Sequence, residues 1–315
     1  MLTKREMKKP FQLKIFEKFL KEKGIAYKVD EPLAKHTTIR IGGPASLMVF
    51  PKKEDELLEI VKNATELDIP WYVVGGGSNL LCADEGYPGV VINLRSMKGI
   101  VVRAFAQDAT LFLLEALSGT MVGEVISFAR RKGYSGLEFL AGVPATVGGA
   151  VRMNAGAYGR SFSMLVRRVK LFKDGKIEDY EPKDSDWTYR SFRKEGIVVS
   201  ATLELARANP EEIERNLKEI YSKRKASQPL AEKTFGSAFK NPPCCYAGKL
   251  IEDCGLKGFR VGGAKVSEKH ANFVVNLGSA TAKDVLALLR EVQKRVWERF
   301  SIMLEPEVKF LGCSM

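Results

Sequence analysis

The sequence predicts an α+β chain built from two or three domains, and three observations predict it. An apolar strand, a charged helix and a second apolar strand follow one another near the N-terminus. The middle is rich in short β-patterned runs, and the tail alternates strands with a long amphipathic helix. At 315 residues the chain is too long for one ordinary core and suits units of about 100–150 residues each. With 45% hydrophobic and 28% charged residues, the composition is that of a folded globular protein, neither fibrous nor disordered.

Residues 11–27 read as an amphipathic helix ending near Gly24. "ASLMVFP" reads as a strand, and "KKEDELLEIVKNATELD" as a helix opened by charged residues. The run 70–74 is apolar and β-branched and stops at Gly75-Gly76-Gly77, which is how a buried strand delivers a loop. "GVVINL" is the next strand, followed by a helix around 123–132. The Gly-rich stretch 136–159 reads as tightly packed, bulged β-structure, or as a surface that something flat approaches closely. Asp174-Gly175 marks a hairpin. A charged helix over 210–225 then leads into a tail with a strand in "ANFVVNLG", a helix over 281–300 and a last strand near "EPEVKFLG". The expected division is 1–74, 75–207 and 208–315, and no internal repeat or low-complexity tract is visible.

Composition excludes several classes of function. No run is long and apolar enough to span a bilayer, and the basic N-terminus lacks an apolar core and a small-residue cleavage site, so a cytoplasmic protein is expected. The five cysteines, Cys82, Cys244, Cys245, Cys254 and Cys313, are odd in number and lack zinc-type spacing, so neither a disulfide framework nor a metal site is expected. A net charge of +12 attracts polyanions. Lys and Arg are interleaved with Asp and Glu, however, as in "NPEEIERNLKEIYSKRK", which argues against nucleic acid and for a phosphate-bearing small molecule. The chain is expected to act as a monomer on such molecules.

Two segments carry the chemistry. In Val74-Gly75-Gly76-Gly77-Ser78-Asn79-Leu80-Leu81, three glycines remove every Cβ, so backbone N–H groups converge on an anion and Ser78 and Asn79 add donors. The pattern is neither GxGxxG nor GxxxxGK[ST], so it is not a Rossmann site or a P-loop, and by itself such a loop is more often a simple turn. About 60 residues on, Gly142-Val143-Pro144-Ala145-Thr146-Val147-Gly148-Gly149-Ala150 runs into Met153-Asn154-Ala155-Gly156-Ala157-Tyr158-Gly159, small enough throughout for close approach by a ring system or a backbone. The pairing of the two suggests one shared cofactor.

Together these segments resemble the FAD-binding fold of the vanillyl-alcohol-oxidase superfamily. Tyr189-Arg190-Ser191-Phe192, Gly236-Ser237-Ala238-Phe239-Lys240-Asn241-Pro242, Ala247-Gly248-Lys249-Leu250-Ile251-Glu252, Gly262-Gly263-Ala264-Lys265-Val266-Ser267-Glu268-Lys269-His270 and Leu304-Glu305-Pro306-Glu307-Val308 narrow the resemblance. They are similar, in order and from about residue 37 to 312, to the family of UDP-N-acetylenolpyruvoylglucosamine reductases (UDP-N-acetylmuramate dehydrogenases), in its shorter structural type. The resemblance implies an α+β flavoenzyme with a two-part FAD-binding region and a C-terminal substrate domain. It also implies non-covalent FAD, NADPH as reductant and a UDP-linked enolpyruvyl sugar as substrate.

By the same resemblance, Arg40, Gly75, Gly76, Gly77, Ser78, Asn79, Leu80, Gly142, Val143, Pro144, Thr146, Gly148, Gly149, Ala150 and Val198 hold the cofactor. Arg190 and Glu307 stabilise charge developing next to the substrate carboxylate, and the Ser237 hydroxyl protonates the carbanion. Arg224, Asn241, Tyr246 and Lys265 are candidate contacts to the UDP moiety. Glu305, two residues before Glu307 and on the same face of an extended strand, is a rival to it. Phe192 stands where the family commonly has Ser, and Lys233 where it commonly has Pro. Two other readings stay open. One is a non-catalytic nucleotide- or nucleic-acid-binding protein. The other is an oxidase of the same fold, for which only His36 and His270 could tether a flavin.

Overall fold

The structure, a computed structural model, describes residues 4–105 and 111–315. The chain separates into two compact units that interleave in sequence. The first comprises Met1–Val29, Ser46–Gly76 and Pro88–Tyr221; the second comprises Asp30–Ala45, Gly77–Tyr87 and Ser222–Met315.

In the first unit, a four-stranded sheet runs in the order Tyr27–Pro32, Pro44–Val49, Tyr87–Asn93, Trp71–Val74. Helices α1 (Lys4–Glu22) and α2 (Glu54–Glu66) serve this sheet. Leu57, Ile60, Val61 and Ala64 recur every three or four residues on α2 and share one core with Phe16 and Leu20 of α1 and Val90 and Ile92 of the sheet. The expected strand–helix–strand unit is present. Its two strands are not neighbours, because Tyr87–Asn93 lies between them, parallel to Trp71–Val74.

A larger sheet completes this unit, in the order Lys176–Tyr180, Val166–Lys173, Ile197–Arg207, Leu111–Leu117, Ile100–Phe105. Asp174 and Gly175 both have positive φ and join Lys173 to Lys176 in register, the two-residue hairpin that their sequence predicts. Helix α3 (Val122–Lys132) ends on Gly133 in the left-handed conformation. Of the stretch 136–159, which reads either as bulged β-structure or as a surface for close approach, only Gly156–Ala157 forms a strand. The stretch also holds a short turn, Glu138–Leu140, and a six-residue helix α4, Val147–Arg152. Thr146 caps α4, while Val147, Ala150 and Val151 are buried with Val169, Val198 and Ala201 of the sheet.

Helix α5 (Pro210–Ser227) carries the chain from one unit to the other. The second unit has a sheet in the order Thr234–Ser237, Phe273–Asn276, Ala264–Val266, Arg260–Val261, with helices α6 (Ala247–Asp253) and α7 (Ala282–Phe300). Helix α7 buries Val285, Leu288, Leu289, Val292 and Val296 in one core with Leu250, Ile251 and Val274. Thr281 and Asp284 form a capping box at its start, and the Asp84 carboxylate accepts from the N–H groups of Ala282 and Lys283, at 2.7 and 3.2 Å. Lys309–Leu311 lies parallel to Leu80–Cys82. Among the described residues no helix is long and apolar enough to cross a membrane.

His270 sits against the edge of Phe273 at 4.9 Å, and its Nδ1 accepts from the N–H of Asn272 at 3.2 Å. Burial holds its pKa below the ordinary 6.5, so the native state keeps the ring neutral while the unfolded chain protonates it. Stability contributed by the neutral ring is present above pH 6.5 and is lost as pH falls from there toward the depressed value. Urea unfolding followed from pH 7 to 5 is expected to show this loss, at no more than about 1.4 kcal/mol per pH unit from one proton. His270→Asn should flatten that part of the curve.

Candidate functional site

The first unit contributes a surface made largely of main chain. After the strand Trp71–Val74, a Cβ on Gly75 would lie 2.3 Å from Thr146 Oγ1, and one on Gly76 would lie 3.2 Å from the Pro144 carbonyl oxygen. The two segments paired in the sequence therefore touch, and they touch through the absence of side chains. Farther along, a Cβ on Gly148 would fall 1.9 Å from Ser118 Oγ. That closeness follows from hydrogen bonds: Gly148 N donates to Ser118 O at 3.0 Å and Val147 N to Thr120 O at 2.9 Å. Gly142 and Pro144 are exposed, and Val143 and Gly149 are half-buried. Ala150 and Val198 are fully buried in the sheet core, so main chain is what they can offer a ligand.

The second unit supplies the rest of the loop. Gly77 has φ +63°, and a Cβ there would sit 1.9 Å from the His36 carbonyl oxygen. Among the described residues, the N–H groups of Gly76, Gly77, Ser78 and Asn79 donate to no backbone acceptor. Asn79 Nδ2 donates to Glu307 O at 3.0 Å, and Lys309 N to Asn79 O at 3.0 Å. Leu80 is buried beside them and pairs with Lys309. Thr38, which sequence reading passed over, ties this loop to the next strand: its N–H donates to Gly77 O and its hydroxyl to Thr234 O at 2.6 Å. Arg40 is exposed, has φ +61° and donates to Lys35 O at 3.0 Å.

The strand Thr234–Ser237 brings Ser237 to the same place. Ser237 pairs with Phe273, and among the described residues its hydroxyl has no hydrogen-bond partner. One residue on, Ala238 O accepts from Glu307 N at 2.8 Å, Phe239 bridges Pro306, and Lys240 N donates to Glu305 O at 2.8 Å. This antiparallel register sets Glu307 opposite Ala238, next to Ser237. It also separates the two acids. Glu305 is exposed and ion-paired with Lys240 at 2.5 Å, whereas Glu307 is half-buried. The last strand begins only at Lys309, because the two acids flank an isolated bridge.

The candidate sugar-nucleotide contacts are more dispersed in their roles. Asn241 Oδ1 accepts from Ala247 N at 3.0 Å and so shapes the start of α6, where Tyr246 is 74% exposed. Lys265 pairs with Glu268 at 3.1 Å, and Arg224 lies in the last turn of α5. Lys233 replaces the usual Pro, and its carbonyl accepts from Asn276 N at 2.9 Å, which holds that loop to the sheet.

Arg190 stands in the first unit, at the tip of a hairpin formed by Trp187–Thr188 and Ser191–Phe192. Its φ is +59°, its guanidinium lies 4.9 Å from the Tyr189 ring centroid, and a Cβ on Gly156 would come within 3.2 Å of its Nη1. Gly156 thus leaves the space that the guanidinium occupies. Phe192 is buried, with its ring 4.4 Å from that of Trp187, so this departure from the family pattern is a packing residue. Two further residues escaped sequence reading, although one lies inside a quoted motif. Asn154 donates to Thr188 O at 3.1 Å, and Arg152 donates to the carbonyls of Phe192, Lys194 and Gly196.

Gly75, Gly76 and Gly77 carry no Cβ, and among the described residues the consecutive N–H groups from Gly76 to Asn79 lack backbone acceptors, which suits the diphosphate of a dinucleotide in the manner of a nest. Neither histidine lies within the glycine segments: His36 Nε2 faces Glu31 at 2.9 Å, and His270 packs on Phe273.

Comparison with known proteins agrees with this geometry. Residues 44–179 match the FAD binding domain model, and residues 228–311 match the C-terminal domain of UDP-N-acetylenolpyruvoylglucosamine reductase. The enzyme of that name from Heliobacterium modesticaldum is 46% identical over 291 residues, covering 90% of each chain. Its counterpart from Caldanaerobacter subterraneus subsp. tengcongensis is 40% identical over 288 residues, 90% of this chain and 93% of the relative. The crystal structure of UDP-N-acetylenolpyruvylglucosamine reductase from Thermus caldophilus superposes with a TM-score of 0.74 at 38% identity, covering 91% of this chain and 99% of that one.

Alanine at two adjacent glycines should separate folding from ligand binding. Gly77→Ala meets both a left-handed backbone and the His36 carbonyl, and is expected to lower stability by roughly 2–4 kcal/mol in urea unfolding. Gly76→Ala meets only the Pro144 carbonyl at 3.2 Å and is expected to cost less than about 1 kcal/mol in the same assay. Its effect should appear as weakened FAD binding, measured by flavin fluorescence on titration of the apoprotein.

Proposed function

The chain belongs to the UDP-N-acetylenolpyruvoylglucosamine reductase family, and on that premise we infer how its own residues carry the reaction. The activity is NADPH-dependent reduction of UDP-N-acetylglucosamine enolpyruvate to UDP-N-acetylmuramate, through FAD, in the synthesis of peptidoglycan precursors. The observation that carries the reading at the level of residues is the set of backbone bonds placing Ser237, Asn79 and Glu307 side by side in the second unit.

FAD, when bound, would supply the hydride-transfer chemistry that links NADPH to the terminal carbon of the enolpyruvyl double bond. The glycine-rich segments 75–79 and 142–149 would hold it, with main-chain N–H groups available to its diphosphate. Reduction of the double bond leaves negative charge on the carbon bearing the carboxylate. Arg190 offsets that charge with a fixed cation, which is most effective where water is excluded. The Ser237 hydroxyl gives that carbon its proton; serine is a weak acid, but the carbanion is a far stronger base. Its hydroxyl is suited to this because no protein acceptor already claims it among the described residues. Glu307 acts beside it on the same charge, an assignment supported by the exposure of its rival Glu305 and the ion pair of Glu305 with Lys240. Arg224, Asn241, Tyr246 and Lys265 are assigned to the UDP moiety. The protein is taken to work in the cytoplasm, as a monomer.

The oxidase reading leaves Ser237 and Glu307 idle and has no histidine in the glycine segments to bond a flavin. Anaerobic absorption spectra of the holoprotein decide between them. The flavin band is expected to bleach with NADPH and to return with the enolpyruvyl sugar nucleotide; a reduced protein that this substrate fails to reoxidise would overturn the assignment. Ser237→Ala should leave bleaching by NADPH within about twofold of wild type and cut recovery by at least about 100-fold, since general acid catalysis contributes on that order. Equal loss in both halves would remove the proton-donor role.

A further inference from the structure

We infer that Arg152 is a positioning residue for Arg190, acting as a clamp at the C-terminal end of α4 that sets where the substrate-facing guanidinium stands. The inference rests on the reading that Arg190 acts on the substrate.

Arg190 needs external support. Its backbone is in the left-handed region at φ +59°, where a residue other than glycine is disfavoured by about 1 kcal/mol. The hairpin that carries it has only two residues in each strand, too few to define a conformation unaided. The chain that follows, from Arg193 to Gly196, has no regular structure.

Arg152 supplies that support at three points. Its Nη1 donates to Phe192 O at 3.4 Å and to Lys194 O at 2.5 Å, and its Nη2 donates to Gly196 O. The guanidinium also lies 5.6 Å from the Phe192 ring centroid. One planar fork thus holds the outgoing arm of the hairpin at three alternate carbonyls, those of residues 192, 194 and 196, which an ammonium or an amide could not span. Asn154, two residues on, holds the incoming arm: its Nδ2 donates to Thr188 O, while its Oδ1 accepts from Ser163 N at 3.0 Å.

Two features separate this arrangement from ordinary stabilisation. Among the described residues Arg152 has no carboxylate partner, so a half-buried cation is spent on main-chain carbonyls and the face of Phe192. A cation of that kind is expensive to keep unless its geometry is needed. The second feature is α4 itself. Thr146, Gly148 and Gly149, assigned to the cofactor, stand at its start, and Arg152 ends it. Six helical residues span about 9 Å, so one rigid element relates the cofactor segment to the anchor of Arg190.

The test is anaerobic stopped-flow kinetics on the holoenzyme of Arg152→Met, Arg152→Lys, Arg190→Met and the double variant Arg152→Met/Arg190→Met. Flavin reduction by NADPH is expected to stay within about twofold of wild type in all four. Reoxidation by the enolpyruvyl substrate should slow by up to about 100-fold in Arg152→Met, the scale of a misplacement near 1 Å, and by less in Arg152→Lys. The double variant should reoxidise no more slowly than Arg190→Met alone, because Arg152 then has nothing left to position. Multiplicative slowing in the double variant, or equal slowing of both half-reactions in Arg152→Met, would overturn the inference while leaving the Arg190 assignment standing. Full-speed reoxidation by Arg190→Met would overturn both. If Arg152→Met does not fold, Arg152→Lys and its double with Arg190→Met carry the same comparison.

Discussion

Close approach to backbone that carries no Cβ is the constraint on which the glycine-rich part of the first unit depends. Gly148 can donate to Ser118 only because nothing projects from its Cα, and Gly75 can lie on Thr146 for the same reason. Those contacts fix the start of α4, and α4 in turn places Arg152 and Asn154 beneath the Arg190 hairpin. A loop lined with N–H groups and lacking Cβ atoms has little chemistry of its own. It offers a phosphate what bulk water would, in a fixed arrangement.

The second unit reaches precision by another route. Three stretches remote in sequence, 77–80, 234–240 and 305–309, are joined by main-chain hydrogen bonds, so their relative register is discrete. A slip of one residue would put Pro306 or Val308 where Glu307 stands, and a slip of two would put Glu305 there. Asn79 reinforces the register with its side chain, bonding the Glu307 carbonyl.

Much of this was legible from residue patterns alone. The apolar run ending at Gly75, the Asp174-Gly175 hairpin and the capped helix after Thr281 are local signals, and each forms where its chemistry predicts. Helix α4 was not legible, because Gly148-Gly149 opposes helix formation and only the Thr146 cap and the surrounding core select it. The insertion of Tyr87–Asn93 between two strands of the first sheet is a tertiary choice with no local cue. Glu305 and Glu307 could not be told apart by strand alternation, which puts them on one face; the Lys240 ion pair and the pairing with Ala238 distinguish them. Arg152 escaped because a lone arginine among small residues reads as solvated surface, and its three acceptors lie 40 or more residues away.

The left-handed backbone at Arg190 bears on how such a protein can be improved. Glycine occupies that conformation without penalty, so a screen that rewarded folding alone would drift toward Arg190→Gly. The exchange would relax the chain and strip out the side chain for which the strain is maintained. Positions of this kind mark where thermal selection and catalytic selection pull in opposite directions, and a library built for robustness should hold them constant.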